Sequence, residues 1–345
     1  MANLKRIQLI ALLGIFLAFT VVGLGAWTRL VDAGLGCPDW PGCYGFAIWP
    51  MSETEISLAN ELYPERKFEI EKAVPEVVHR YFAGSLGLLI IGLFLYAVFS
   101  KPRNSFIVKI TSTMTALVLF QSLLGYFTVS LKLWPQVVTA HLLGGFATTT
   151  LLFLTYLKLK EINLGNINYF SVSKSTLRIL NIAFPILIIQ IILGVWLSSN
   201  YAALACSDFP LCKGQILPDA DYVKGLNFAQ RIGPDYLGGQ LDHQSRVAIH
   251  LVHRFGALIV TLYFLFLAYL FAKEKNYFVS GLIGALLFLQ LALGISNIIY
   301  RLPLYVAIAH NLGALFLLLG LSYARLRSRE YLSLIHISEP TRLTS

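Results

Sequence analysis

Five of the seven histidines stand where long apolar runs meet polar loops: His79, His141, His250, His253 and His310. Ionisable side chains at such depth are costly in a membrane and are functional by default. His243 lies in an outer polar loop and His336 in a polar tail. His79 and His141 recur in the second half of the chain as His253 and His310, so each half supplies two imidazoles at matching depth. Two such rings can stand on opposite faces of one flat iron macrocycle as axial ligands. Zinc fits less well, because no third or fourth ligand of suitable type sits at that depth in each half. An isolated histidine there would equally suit an interhelical hydrogen bond; the pairing is what points to haem.

Glu76 adds an acid beside one pair. It precedes His79 by three residues, so the two share a helix face. In the second half the same pattern reads His250-Leu251-Val252-His253-Arg254, with His250 where the acid stood. One half therefore carries a carboxylate beside its ligand and the other does not. That asymmetry points to one site for chemistry and one for electron handling. The plainer reading of Glu76 is an acid favoured by the dipole at a helix start. Arg80 and Arg254 follow the two histidines. They could pair with haem propionates, since Arg binds carboxylates bidentately, or snorkel to lipid headgroups. Cys37 and Cys43 lie in the first long outer loop, and Cys206 and Cys212 repeat their spacing in the second. On an oxidising face such pairs read as disulfide staples of their loops. A redox role for Cys37–Cys43 is the sharper alternative, because that pair shares a half with Glu76.

Apolar helices must position these residues. The chain has 345 residues, 57% hydrophobic and 13% charged, with mean hydropathy +0.68. Soluble domains are about 45–50% apolar and about 25% charged, so a soluble globular protein is excluded. The 23 Phe and 17 Tyr exclude a disordered chain. The net charge of +9 comes from residues at the ends of apolar runs, not from a groove-like cluster, so no nucleic acid is expected as a partner. Eight segments free of Asp, Glu, Lys and Arg are long enough to span a bilayer: Leu9–Trp27, Tyr81–Phe99, Ile110–Leu131, Leu133–Leu157, Ile179–Ala205, Phe255–Ala272, Asn276–Tyr300 and Leu302–Ala324. The first exceeds a signal-peptide core and lacks a small-residue cleavage motif, so it reads as a retained helix. Lys and Arg concentrate on one side, which predicts cytoplasmic N- and C-termini.

The chain also matches itself. At a shift of 169 residues, Gly25 and Trp27 fall on Gly194 and Trp196, Cys37 and Cys43 on Cys206 and Cys212, Gln121 on Gln290, and His141 on His310. His79-Arg80 meets His253-Arg254 at a shift of 174. Four spans per repeat is an even number, so the halves share one orientation. The expected fold is an all-α membrane protein of eight transmembrane helices, built as two tandem four-helix bundles related by a pseudo-two-fold axis. Residues 1–165 form the first bundle, 166–329 the second and 330–345 a tail, with the polar stretch Glu161–Lys174 as linker. Leu334–Ser345 matches nothing in the repeat and reads as translated adapter sequence, so His336 should carry no function.

Taken together, the Cys-containing loop Gly36–Cys43, the Glu76-x-x-His79-Arg80 motif, His141, His253-Arg254 and His310 resemble the haem A synthase family. The resemblance covers residues 1 to about 329. It implies oxidation of a methyl group of haem O to a formyl group through a hydroxymethyl intermediate, for terminal oxidase biogenesis. It assigns His253 and His310 to a haem b cofactor, and His79 and His141 to the iron of the substrate haem. Glu76 becomes the catalytic acid/base, and His250 stays unassigned. It further implies a plasma-membrane location, haem O and the farnesyltransferase that makes it as partners, and an electron acceptor of unknown identity. A homo-oligomer is compatible with it. The main rival is a non-catalytic di-haem electron carrier of cytochrome b561 type, which has no need of Glu76. A transporter or haem chaperone is the second rival and should tolerate Glu76→Ala.

Overall fold

The computed structural model describes residues 2–101, 103–165 and 169–330. The tail beyond Glu330, with His336, lies outside the described residues, as do residues 166–168 of the linker. Eight helices are long and apolar enough to cross a membrane. They are α1 (Ala2–Leu30), α3 (Ile70–Phe99), α4 (Ser105–Ser130), α5 (Pro135–Leu164), α6 (Lys174–Ser199), α8 (His243–Lys273), α9 (Tyr277–Ile299) and α10 (Leu304–Arg327). Two short helices, α2 (Glu53–Leu62) and α7 (Tyr222–Gly225), lie in the long loops.

Local chemistry sets the ends. Asn104, Ser173 and Asp242 cap α4, α6 and α8 by accepting from backbone N–H groups of the first turn, which satisfies donors that a helix start leaves open. Pro135 opens α5, where its missing N–H costs nothing, and Gly165 closes it in the left-handed conformation. The tight turn between α4 and α5 places Lys132 and Leu133 at positive φ, and that between α9 and α10 does the same with Arg301 and Leu302, 169 residues later. Asp32 and Tyr201, and Tyr44 and Lys213, form two further matched pairs. The duplication is therefore present in the backbone as well as in the side chains.

Helices α3 and α8 start well before the apolar runs that announce them: at Ile70 rather than Tyr81, and at His243 rather than Phe255. His243 is thus the first residue of a helix and not a loop residue. The charged residues that cut the runs short are Glu76, Arg80, Arg246 and Arg254. All four are bonded to the adjoining loops, so the helices continue through them.

Helices α1, α3, α4 and α5 pack around one another, as do α6, α8, α9 and α10; the two sets meet through α1, α5, α6 and α10. Phe19 stacks on Phe316 across this seam at 4.8 Å. Buried apolar clusters fill the part of each set away from the long loops. One contains Ile90, Met114 and Leu152, the other Leu180, Phe264 and Leu315. Arg29, at the end of α1, donates to the Ser198 carbonyl and lies 3.9 Å over the Tyr201 ring.

The second long loop crosses to the first set of helices. Trp134 Nε1 donates to Gln230 O at 2.8 Å, Tyr236 N donates to Lys132 O at 3.0 Å, and Arg66 pairs with Asp235 at 2.8 Å. Leu35, Leu133 and Tyr236 form a small buried cluster at this crossing. On the opposite side, β1 (Phe170–Val172) pairs in parallel with β2 (Ser328–Glu330), tying the linker to the end of α10.

Candidate paired-histidine sites

His79 sits on α3 and His141 on α5, within one set of helices; His253 sits on α8 and His310 on α10, within the other. In each half the two histidines come from the second and fourth spans. The rings of His79 and His141 have centroids 6.5 Å apart and planes inclined by 82°. A first-row metal held at about 2 Å by one nitrogen of each ring, on opposite sides, would set the centroids roughly 6 Å apart. The observed spacing fits a single iron between them.

Burial is incomplete along the helices at this level. Every residue of α5 from Val138 to Gly145 is half-buried, although α5 is surrounded by other helices. Full burial resumes at Phe146, Thr148, Thr149 and Leu152. The His310 region of α10 behaves alike, half-buried from Ile308 to Leu312. Close packing would have buried the inward-facing positions of such helices. These positions keep part of their surface at the level of the imidazoles. Each imidazole also lies against a glycine of a neighbouring helix. A methyl at Gly25, Gly194 or Gly294 would come within 3.0, 3.1 or 3.0 Å of Cε1 of His79, His253 or His310, and one at Gly125 within 3.6 Å of His141. Nδ1 of His79, of His141 and of His310 is buried without a hydrogen-bond partner among the described residues. Orphaned polar atoms in a packed protein call for a missing partner, and a flat macrocycle with polar edges would supply one. Among the described residues no three His, Cys, Asp or Glu side chains converge as a metal-ion cage. The donor set therefore suits a metal that brings its own equatorial ligands.

Glu76 is the one carboxylic acid among the fully buried described residues, 5% exposed. Its Oε1 accepts from Arg80, and its Oε2 accepts from the backbone N–H of Cys37 at 3.0 Å. Both cysteine pairs, Cys37–Cys43 and Cys206–Cys212, are disulfides. Each closes a loop held by an aspartate. Asp39 accepts from Tyr44 N and Gly45 N, and Asp208 from Lys213 N and Gly214 N. Those N–H groups hold the Asp208 carboxyl below its ordinary range. Arg80 also donates to the carbonyls of Asp39, Pro41 and Gly42, and Arg254 to those of Cys206, Asp208 and Leu211. These bonds make both arginines clamps on the disulfide loops.

His250 occupies the place of Glu76 in this arrangement. It is buried, its Nδ1 lies 3.1 Å from Ala202 O, and the Cys206 N–H points at the same nitrogen from 3.4 Å. It braces the second loop. The two halves thus share histidines, glycines, arginine and disulfide, and differ at the residue between loop and imidazole.

Among known proteins the chain is similar to the heme A synthase of Shewanella oneidensis, at 43% identity over 317 residues, covering 91% of this chain and 94% of that protein. It is also similar to those of the Wolbachia of Brugia malayi (28% over 322 residues; 87% and 90% covered) and of Flavobacterium psychrophilum (26% over 349; 94% and 98%). The model of the COX15-CtaA family, described as cytochrome oxidase assembly protein, matches residues 8–322. The chain belongs to the COX15-CtaA family.

In this member of the family the residues singled out from the sequence fall into two clusters, one per half. Sequence reasoning missed the glutamines beside the histidines. Gln190 Nε2 lies 3.1 Å from His253 Nδ1 and donates to His253 O at 3.0 Å. Gln290 Nε2 donates to His310 O at 3.0 Å and lies 3.5 Å from its Nε2. The recurrence of Gln121 as Gln290 was visible as a repeat, but nothing in that match linked the amide to an imidazole.

Proposed function

We propose that this protein is a haem A synthase, oxidising a methyl group of haem O to the formyl group of haem A. The observation that carries this reading is the unequal equipment of two similar sites. His79 and His141 lie with ring centroids 6.5 Å apart, and the helix of His79 also carries the buried Glu76, whereas the His253–His310 half has no buried acid among the described residues. The family match and the heme A synthases among its relatives support it.

On this reading His253 and His310 hold a resident haem b, and His79 and His141 hold the substrate haem. The resident haem supplies a one-electron path when bound. The residues of the first half bind and orient. The two imidazoles would hold the iron of the substrate haem, with the half-buried stretch of α5 beside it. With water as the oxygen source, converting a methyl to an aldehyde consumes one water and releases four protons and four electrons, the electrons passing to an external acceptor. Glu76 accepts the protons: it is held by Arg80 and by Cys37 N–H, away from bulk water, where a positioned carboxylate works as a base. The disulfide loop and the crossing loop cover this end of the bundle and exclude water. The eight spans make it a multi-pass membrane protein; its termini face the cytoplasm by the basic-residue asymmetry.

The test is haem extraction and chromatography after co-expression with a source of haem O. Wild type should accumulate haem A, and Glu76→Ala should accumulate haem O or the alcohol while keeping the haem b spectrum. Two identical, permanently bound haems b and no haem A would instead establish the electron carrier.

A further inference from the structure

The glutamines obey a rule that divides the four histidines. Three of the helix pairs carry Gln-x-x-x-Gly on the first helix and His-x-x-Gly on the second. They are Gln121/Gly125 with His141/Gly144, Gln190/Gly194 with His253/Gly256, and Gln290/Gly294 with His310/Gly313. The fourth pair has Val21/Gly25 with His79/Phe82. It keeps the histidine and the glycine that faces it, and lacks both the glutamine and the second glycine.

The geometry explains why glutamine and second glycine go together. A methyl on Gly144, Gly256 or Gly313 would lie 1.4, 2.1 or 2.2 Å from the amide of Gln121, Gln190 or Gln290. No side chain fits there, so the glycine is the slot into which the amide reaches. In the cofactor half both amides use that position to donate to the backbone carbonyl of the histidine itself. That bond ties the ligand's own backbone to the opposite helix and limits how far the imidazole can swing. Gln121 also reaches Gly144, but with its amide reversed: Nε2 lies in the slot and has no hydrogen-bond partner among the described residues. Val21 cannot make such a bond, and at Phe82 a side chain stands where the slot would be. His79 packs against Gly25 and its ring meets the Val21 backbone, but no side-chain amide holds the carbonyl of His79 itself.

We propose that Gln190 and Gln290 are positioning residues that lock both ligands of the resident haem, and that the substrate half, where Gln121 makes no such bond and Val21 and Phe82 stand in the other pair, leaves its ligands releasable. This rests on the functional reading above. A cofactor must stay bound through turnover, whereas a substrate macrocycle must enter and its product leave. Imidazoles without the glutamine bond, beside Glu76, meet that need.

The experiment measures haem loss from purified full-length protein in lipid nanodiscs to an excess of apomyoglobin, with iron protoporphyrin IX loaded into the first half as probe. Gln190→Ala avoids any steric clash and should speed loss of the resident haem about tenfold or more and shift its low-spin paramagnetic resonance signal. The double variant Val21→Gln, Phe82→Gly should slow loss of the probe haem by a similar factor and leave the resident haem unchanged. Unaltered rates and an unaltered signal in folded Gln190→Ala would overturn the inference, as would unslowed probe loss in the folded double variant. His253→Ala separates the two levels. If it retains the resident haem, the ligand assignment itself fails. If it loses that haem while Gln190→Ala behaves as wild type, only the locking role fails.

Discussion

The two halves of this molecule carry unequal residues on one scaffold. Both present two histidines from their second and fourth spans, both lay glycines against the rings, and both clamp a disulfide loop with an arginine one residue after the first histidine. They part at a few positions. Glu76 faces His250, Val21 faces Gln190, Phe82 faces Gly256 and Tyr44 faces Lys213 across the duplication. Glu76 adds an acid, Val21 and Phe82 remove a glutamine and its slot, and Tyr44 adds a buried anchor to the first loop. On the proposed reading, a duplicated histidine site would become catalytic through an added acid and less restrained ligands, without a change of fold.

The hardest test of that contrast is to remove one imidazole from each half. His253→Ala should abolish the low-spin haem b signal and all haem A formation. His79→Ala should keep the haem b signal in visible spectra and lose haem A formation. If both variants lose the same signal, the halves are not divided as argued. Next in size is Glu76→Ala, which should lower the rate of haem A formation by about 10²–10⁴-fold, the usual weight of a positioned acid/base, with haem b retained. Glu76→His, which copies the second half, should be as inactive as the alanine variant; activity in it would show that bracing the loop is all that Glu76 does.

A smaller effect separates the arginines. Arg80→Ala leaves a buried carboxylate without its cation and should destabilise the protein by about 3 kcal/mol or more. Arg254→Ala strands only carbonyls and should cost about 1–3 kcal/mol. Thermal unfolding in detergent reads the difference, and equal costs would remove the asymmetry at this point. The least effect is a pH dependence confined to one loop. Tyr44 is buried and donates to Lys67 O, and burial pushes its hydroxyl from 10.0 up to about 12. The folded loop keeps a proton that the unfolded loop releases. Its stability is therefore complete below pH 10 and is lost as pH rises towards 12. Lys213 stands exposed in the equivalent place. Reduction of Cys37–Cys43 by a phosphine should accelerate over that interval relative to Cys206–Cys212, as read by alkylation and mass spectrometry.

Much of this was legible in the residues. Apolar length announced all eight spans, because backbone groups in lipid must be satisfied within a helix. The self-match announced two related halves, and the paired histidines with Glu76 announced where to look. The outward extension of α3 and α8 was not legible. A charge inside a helix looks like a helix end until its partner in a distant loop is seen. The short helix α2 carries its own signal, a Ser52–Glu55 capping box, but no apolar period follows it. The glutamine rule was hidden for a different reason. Its members are four and three residues apart on separate helices, so their relation exists only once the helices are packed.

The crossing of the second loop onto the first bundle bears on how the polypeptide holds together. The linker between Gly165 and Phe170 is short, yet the halves are fastened elsewhere: by Arg66 and Asp235, by Trp134 and Gln230, and by Phe19 against Phe316. Severing the backbone at the linker would leave all of these fasteners in place. Two fragments made separately in one cell should therefore find each other and co-purify, which makes this chain in effect a heterodimer written as a single gene product.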